Sequence, residues 1–251
     1  MNVEKAPRPV QAVTLLLVSM LAGLLAGCDP GPAPTHYPTL APTAQLTSGV
    51  DCALEIERTP ETVPENAVAN RTVVDAGLVR VDGDKRPLAR RKDERIDGHY
   101  SGSTDDIIRW GACKWGIDEN IVRGIAMAES TWRQSQLGDP STYQPNCSVV
   151  GQSTPCHLSY GLVQVKGTVH TGTYPHSAES TAFAVDYGLA WIRSCYEGGQ
   201  TWLGSNYAAG DLWGCVGAWY SGSWHDPGSS DYQTRVLSEI SQRRWDEPGF
   251  D

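Results

Sequence analysis

Glu129 stands directly before Ser130, at the end of the apolar run Ile121-Val122-Arg123-Gly124-Ile125-Ala126-Met127-Ala128. Positions 121, 125 and 129 lie one above another on a helix, so the carboxyl is expected to share a direction with Ile121 and Ile125. Burial in an apolar setting penalises a charged carboxylate. An acid kept neutral in this way near pH 7 can protonate the poor leaving oxygen of a glycosidic bond. Arg133, four residues on, would neutralise Glu129 in a continuous helix, and Ser130-Thr131-Trp132 is expected to end or bend the helix first. Taken alone, such a glutamate reads as an ordinary surface residue in a last turn.

Two further segments change that balance. Ser159-Tyr160-Gly161-Leu162-Val163-Gln164-Val165 follows, and after it Gly217-Ala218-Trp219-Tyr220-Ser221-Gly222. In this order the three segments resemble the soluble-type lytic transglycosylases, a branch of the lysozyme-like superfamily similar to glycoside hydrolase family 23, which cleave peptidoglycan. The resemblance covers roughly residues 97–251. It implies a mainly α, lysozyme-like fold with a short β or turn segment by the cleft, and Glu129 as the catalytic residue. Glu129 would protonate the oxygen between N-acetylmuramic acid and N-acetylglucosamine while the substrate's acetamido group stabilises the positive centre. The same carboxylate would then take the C6 hydroxyl proton, leaving a 1,6-anhydro end without water.

The resemblance also implies substrate-binding roles for Ser130, Ser159, Gly161, Leu162, Val163, Gln164 and Tyr220, with Tyr220 orienting Glu129. Many relatives carry Ala-Tyr-Asn where this chain has Ala218-Trp219-Tyr220-Ser221, so Ser221 stands in the asparagine position. Trp219 is expected in the core, and Trp132, Tyr160 and Trp224 are equally core residues or platforms for sugar rings. Two other functions stay open. A hydrolytic, goose-type-like muramidase would need a second acid, and Asp139 in Leu137-Gly138-Asp139-Pro140 is placed for it, although Gly-Asp-Pro more commonly makes a turn. A peptidoglycan-binding lipoprotein without turnover is the other, permitted by Ser221.

The elements that must hold these residues fall in the second part of the chain. All nine tryptophans lie at or after Trp110, whereas most prolines precede Pro87. Aromatic side chains bring the largest burial per residue, so the core is expected in 97–251. Ser103 or Thr104 can cap a first helix and Asp118 the next, ending near Ser130. Residues 134–158 read as a loop region, Ser180 caps a long helix to about Glu197, and helices follow over 211–220 and 231–245. The formal charge of −9 argues against nucleic acid, whose phosphates need clustered Lys and Arg. No metal or other cofactor is expected, and the domain is expected to be a monomer.

Before this domain, Lys5 and Arg8 lead into an apolar stretch that ends in Leu25-Ala26-Gly27-Cys28. A charged start, a short apolar region and small residues before a cut point mark an export signal over 1–27. Leu-Ala-Gly-Cys is similar to a bacterial lipobox, which implies lipidation at Cys28 and anchoring on the outer face of the cytoplasmic membrane; Asp29 resembles a signal for inner-membrane retention. Residues 28–96 read as a Pro-rich, largely disordered tether, with Thr72–Val74 and Gly77–Val81 able to form a hairpin or edge strand and 86–95 as a solvated charge run. An even set of six cysteines remains for an exported protein. Cys147 with Cys156 is the favoured disulfide, Cys195 with Cys215 would join two helices, and Cys52 with Cys113 is what remains, with Cys52 unpaired as the alternative.

Overall fold

The computed structural model describes residues 36–87 and 90–250, together with Met1. The signal segment and the lipidation at Cys28 lie outside the described residues. No described helix is long and apolar enough to cross a membrane.

Short local signals start and stop each helix. The first, α1 (Gly49–Glu55), begins at Ser48, whose hydroxyl accepts from Asp51 N–H. Ser103 opens α2 (Thr104–Trp115) with a reciprocal capping box to Asp106, and Gly116 closes it in the left-handed region. Asp118 caps α3 (Glu119–Ser130), which ends where Thr131 takes φ 50° and Trp132 N–H reaches back to Ala126 O. Residues 134–158, expected as a loop, contain β1 (Leu137–Ser141), α4 (Gln144–Val149) and most of β2 (Cys156–Tyr160). A short β3 (Val165–Lys166) completes an antiparallel sheet in the order β1-β2-β3, with Gly138 opposite Ser159.

The remaining helices are α5 (His176–Glu179), α6 (Thr181–Tyr196), α7 (Leu212–Ser221) and α8 (Pro227–Gln242). The last starts four residues earlier than expected, because Asp226 accepts from Ser229 N–H and Pro227 suits the first helical position. Nearly every residue of α6 is buried, the pattern of a central helix. It packs on α2 and α7, while α8 covers α3 and α7. The described chain is thus mainly helical with one small antiparallel sheet.

From His36 on, the expected tether is part of the folded body. Tyr37, Cys52, Ile56, Val63, Val74, Val79, Val81 and Ile96 belong to the same buried core as α2, α3 and α6, and the described residues from His36 on form one compact unit. Prolines keep this arm from forming regular ladders, but its backbone polar groups find side-chain partners inside the helical body. Arg193 donates to Leu40 O and Ala41 O at 2.9 and 2.6 Å, and Trp110 Nε1 donates to Gly49 O at 2.9 Å. Satisfied carbonyls remove the main penalty on burying irregular chain. Residues 72–81 form no strand. The charge run is likewise tied down, with Arg86 on Asp84 and Glu197, Lys92 on Glu197, and Arg91 on Asp93. All three expected disulfides are present, Cys52–Cys113, Cys147–Cys156 and Cys195–Cys215, so Cys52 is paired and fastens the arm to α2.

Candidate active site

Glu129 occupies the last turn of α3 and opens on a cleft of ≈ 420 Å³. Its other walls come from Gln136, Gly138 and Asp139 around β1, Ser159 of β2, Gln164, Lys166 of β3, and Trp219 and Tyr220 of α7. The helix thus delivers the acid, and the small sheet faces it with polar groups.

Although part of Glu129 remains accessible, burial pushes its carboxyl up to about 7. The Tyr232 hydroxyl and the Arg235 charge oppose that rise, and the Asp139 charge adds to it. Asp139 moves the other way. Burial alone would raise it, but Lys166 Nζ at 2.9 Å and Ser159 Oγ at 2.7 Å outweigh burial and hold it below the usual carboxylate value. Two carboxyls in one cleft are therefore driven apart, one kept neutral and one kept charged, which is how a single site separates acid from base roles. Arg133 Nε lies 3.2 Å from Glu65 Oε1, on the far side of the bend at Thr131 and Trp132.

The residues implied by the motifs divide sharply. Glu129, Ser159, Gln164 and Tyr220 line the cleft. Ser130 is buried, its hydroxyl 2.9 Å from both Ala126 O and Leu162 O; it fastens α3 to the turn 161–164 and does not face the cleft. Leu162 and Val163 are core side chains. Their backbones are engaged as well, Leu162 N–H with Gln134 Oε1 and Val163 O with Trp219 Nε1. Gly161, at φ 79°, leaves no room for a Cβ, which would sit 2.5 Å from Ser177 O. Its need for glycine comes from this packing and a left-handed turn, not from approach to a ligand.

Gln164 gives its Nε2 to Gln136 O and Gly161 O at 3.0 and 2.9 Å, which leaves Oε1 as its free pole, directly over Gly138. A Cβ on Gly138 would collide with that oxygen. Glycine at 138 therefore makes the space that Gln164 occupies, a role hidden in the sequence by the turn-like Gly-Asp-Pro.

The hydroxyl that acts on Glu129 is that of Tyr232, not Tyr220. The Tyr232 hydroxyl is buried and lacks a regular hydrogen bond, yet it faces the Glu129 carboxyl closely enough to favour its charged form. Tyr220 is 52% exposed and stacks flat on Tyr232 at 4.7 Å, with the Arg235 guanidinium 5.0 Å from both rings. Nothing in the α8 sequence distinguishes Tyr232 and Arg235 from ordinary helix residues, and no motif marked them. Trp219, expected in the core, is partly buried and lines the cleft, backed by His170 at 4.9 Å. Trp132 and Tyr160 are core residues, and Trp224 packs on Tyr207 at 4.9 Å.

Among the described residues no group of three or more His, Cys, Asp or Glu side chains is placed to hold a metal. Two non-glycine residues that line the cleft, Asp139 and Gln164, and the two at the bend after α3, Thr131 and Trp132, have positive φ, a conformation that surrounding packing must impose. Compared with family models, with curated proteins and with solved structures, the chain matches none.

Proposed function

We propose that this protein is a peptidoglycan lytic transglycosylase with a lysozyme-like catalytic domain. The observation that carries the proposal is the Glu129 carboxyl, pushed by burial to about 7 in a cleft lined mainly by polar groups. Such a carboxyl is neutral often enough to protonate the bridging oxygen and basic enough, once ionised, to take the C6 proton back. The bond from C1 to the bridging oxygen breaks, the acetamido oxygen holds C1 in between, and O6 then closes the anhydro ring. Tyr232 and Arg235 stabilise the carboxylate present between the two steps.

A second reading is supported by Asp139, which faces the same cleft and is held charged by Lys166 and Ser159. From there it would activate water, and the reaction would be an inverting hydrolysis. Mass analysis of peptidoglycan digested by the protein and by Glu129→Gln separates the readings. Anhydro ends that vanish in the variant support the transglycosylase, reducing ends support the muramidase, and absence of turnover overturns both in favour of a wall-binding protein.

In this proposal the protein is exported and held at the membrane by lipid on Cys28.

A further inference from the structure

A second cavity of ≈ 390 Å³ adjoins the cleft and shares Lys166, Trp219 and Tyr220 with it, so the two form one groove. Its far wall comes from the arm, outside the region that carries the motifs, through Asp82, Gly83 and Lys85. Gly83, at φ 77°, lies so close to Trp202 that any Cβ would strike the indole. Trp202 stays 46% exposed and gives its N–H to Gln200 Oε1.

The polar inventory of this cavity does not suit a sugar. Both indole N–H groups are used, Trp202's by Gln200 and Trp219's by Val163 O. Asp82 Oδ2 already accepts from Thr171 N–H at 2.9 Å and faces the Tyr187 hydroxyl at 3.4 Å. What the cavity offers is aromatic surface and a cation. Arg86, Arg91 and Lys92 are each paired with a carboxylate, whereas exposed Lys85 pairs with no described carboxylate. In a chain of net charge −9, a lysine so placed favours an anionic guest.

We propose that this cavity takes a short acidic peptide, the substituent on the lactyl group of the muramoyl unit cut at Glu129, with its aliphatic parts on Trp202 and Trp219 and a carboxylate at Lys85. This rests on the peptidoglycan reading, in which the peptide branches from a sugar beside the scissile bond and must leave the cleft sideways.

The test compares initial rates on glycan strands that carry their peptides with rates on the same strands stripped by an amidase. The wild type is expected to favour the peptide-bearing strands about tenfold, as one anchored carboxylate and a stacked side chain would give. The ratio should collapse towards one in Lys85→Met and Trp202→Ala and survive in Lys85→Arg. A wild-type ratio of one, or variants that slow both substrates equally, overturns the proposal. Lys85 is a surface side chain, so its variant carries the test if Trp202→Ala misfolds. In parallel, tryptophan fluorescence is titrated with a soluble acidic tetrapeptide, with saturable binding expected and about tenfold weaker binding in Lys85→Met. Binding without any cleavage would keep this site and remove the transglycosylase reading; cleavage with neither binding nor preference would do the reverse.

Discussion

Two acids sit on buried helices of this protein and meet opposite treatment. Asp186, midway along α6, is fully buried and receives Lys114 Nζ at 2.8 Å, Trp115 Nε1 at 2.6 Å, and the Asp97 and Gly98 N–H groups at 2.9 Å. Glu129, at the end of α3, receives only the imperfect approach of Tyr232 and a distant guanidinium. The first acid fastens the segment just after the arm to the helices. The second is left under-solvated beside a cleft, which is the condition that makes a carboxyl an acid catalyst. Burial alone does not mark a functional acid; burial without donors does.

The comparison breaks most readily at Glu129. Glu129→Gln should fold and lose about 10³-fold or more in turnover, read as anhydro or reducing ends released. Turnover by the wild type should fall as pH rises through about 7, where the neutral acid disappears. The stability sign is opposite to that of an ordinary paired carboxylate. Because the folded value lies above the unfolded one, the favourable contribution is present below about 4.5 and is lost as pH rises to about 7. Glu129→Gln is therefore expected to leave stability unchanged near pH 4 and raise it at pH 8, by on the order of 3 kcal/mol. A variant equally stable at both pH values relative to wild type would count against a neutral Glu129.

Asp186→Ala should do the reverse. It leaves Lys114 buried without its buried partner and is expected to cost about 4 kcal/mol, seen as a large drop in urea midpoint. A fully stable Asp186→Ala protein would erase the contrast between the two acids.

The disulfides sharpen it regionally. Replacing Cys52 and Cys113, which enclose 61 residues, should cost about 4 kcal/mol, and replacing Cys147 and Cys156, nine apart, about 2.6 kcal/mol by loop-closure entropy. The second pair staples α4 to β2 beside the cleft, so its loss should lower activity on long strands more than it lowers Tm. Equal loss of both would remove any special role for the stapled flap. The smallest effect is expected from Tyr232→Phe. Its hydroxyl favours ionised Glu129, so without it the alkaline limb of the pH profile should move upward with a few-fold change in rate, followed by titration of activity.

How much of this was legible in the sequence varies with the range of the interaction involved. Caps at Ser103, Asp118 and Ser180 act within one turn, and each begins the helix expected of it. Pairing of Cys147 with Cys156 is nearly as local. The burial of the arm is not legible in its proline content, which describes what a segment cannot form, whereas that burial depends on Arg193 and Trp110, up to 153 residues away. The motif around Gly161 meets the cleft through Gln164 and Ser159 alone. Gln164 reaches the cleft, but Gly161, Leu162, Val163 and Ser130 build the turn that carries it.

By itself, the sequence determined the five longer helices, the cysteine set and the position of Glu129 on an apolar face, since these follow from spacing and local hydrogen bonding. Only the tertiary structure decided which acids are satisfied and which are not. It placed Tyr232, Arg235 and Asp139 around Glu129 and withheld strong donors from it, and that distribution of partners depends on which distant side chains the fold brings within a few ångströms.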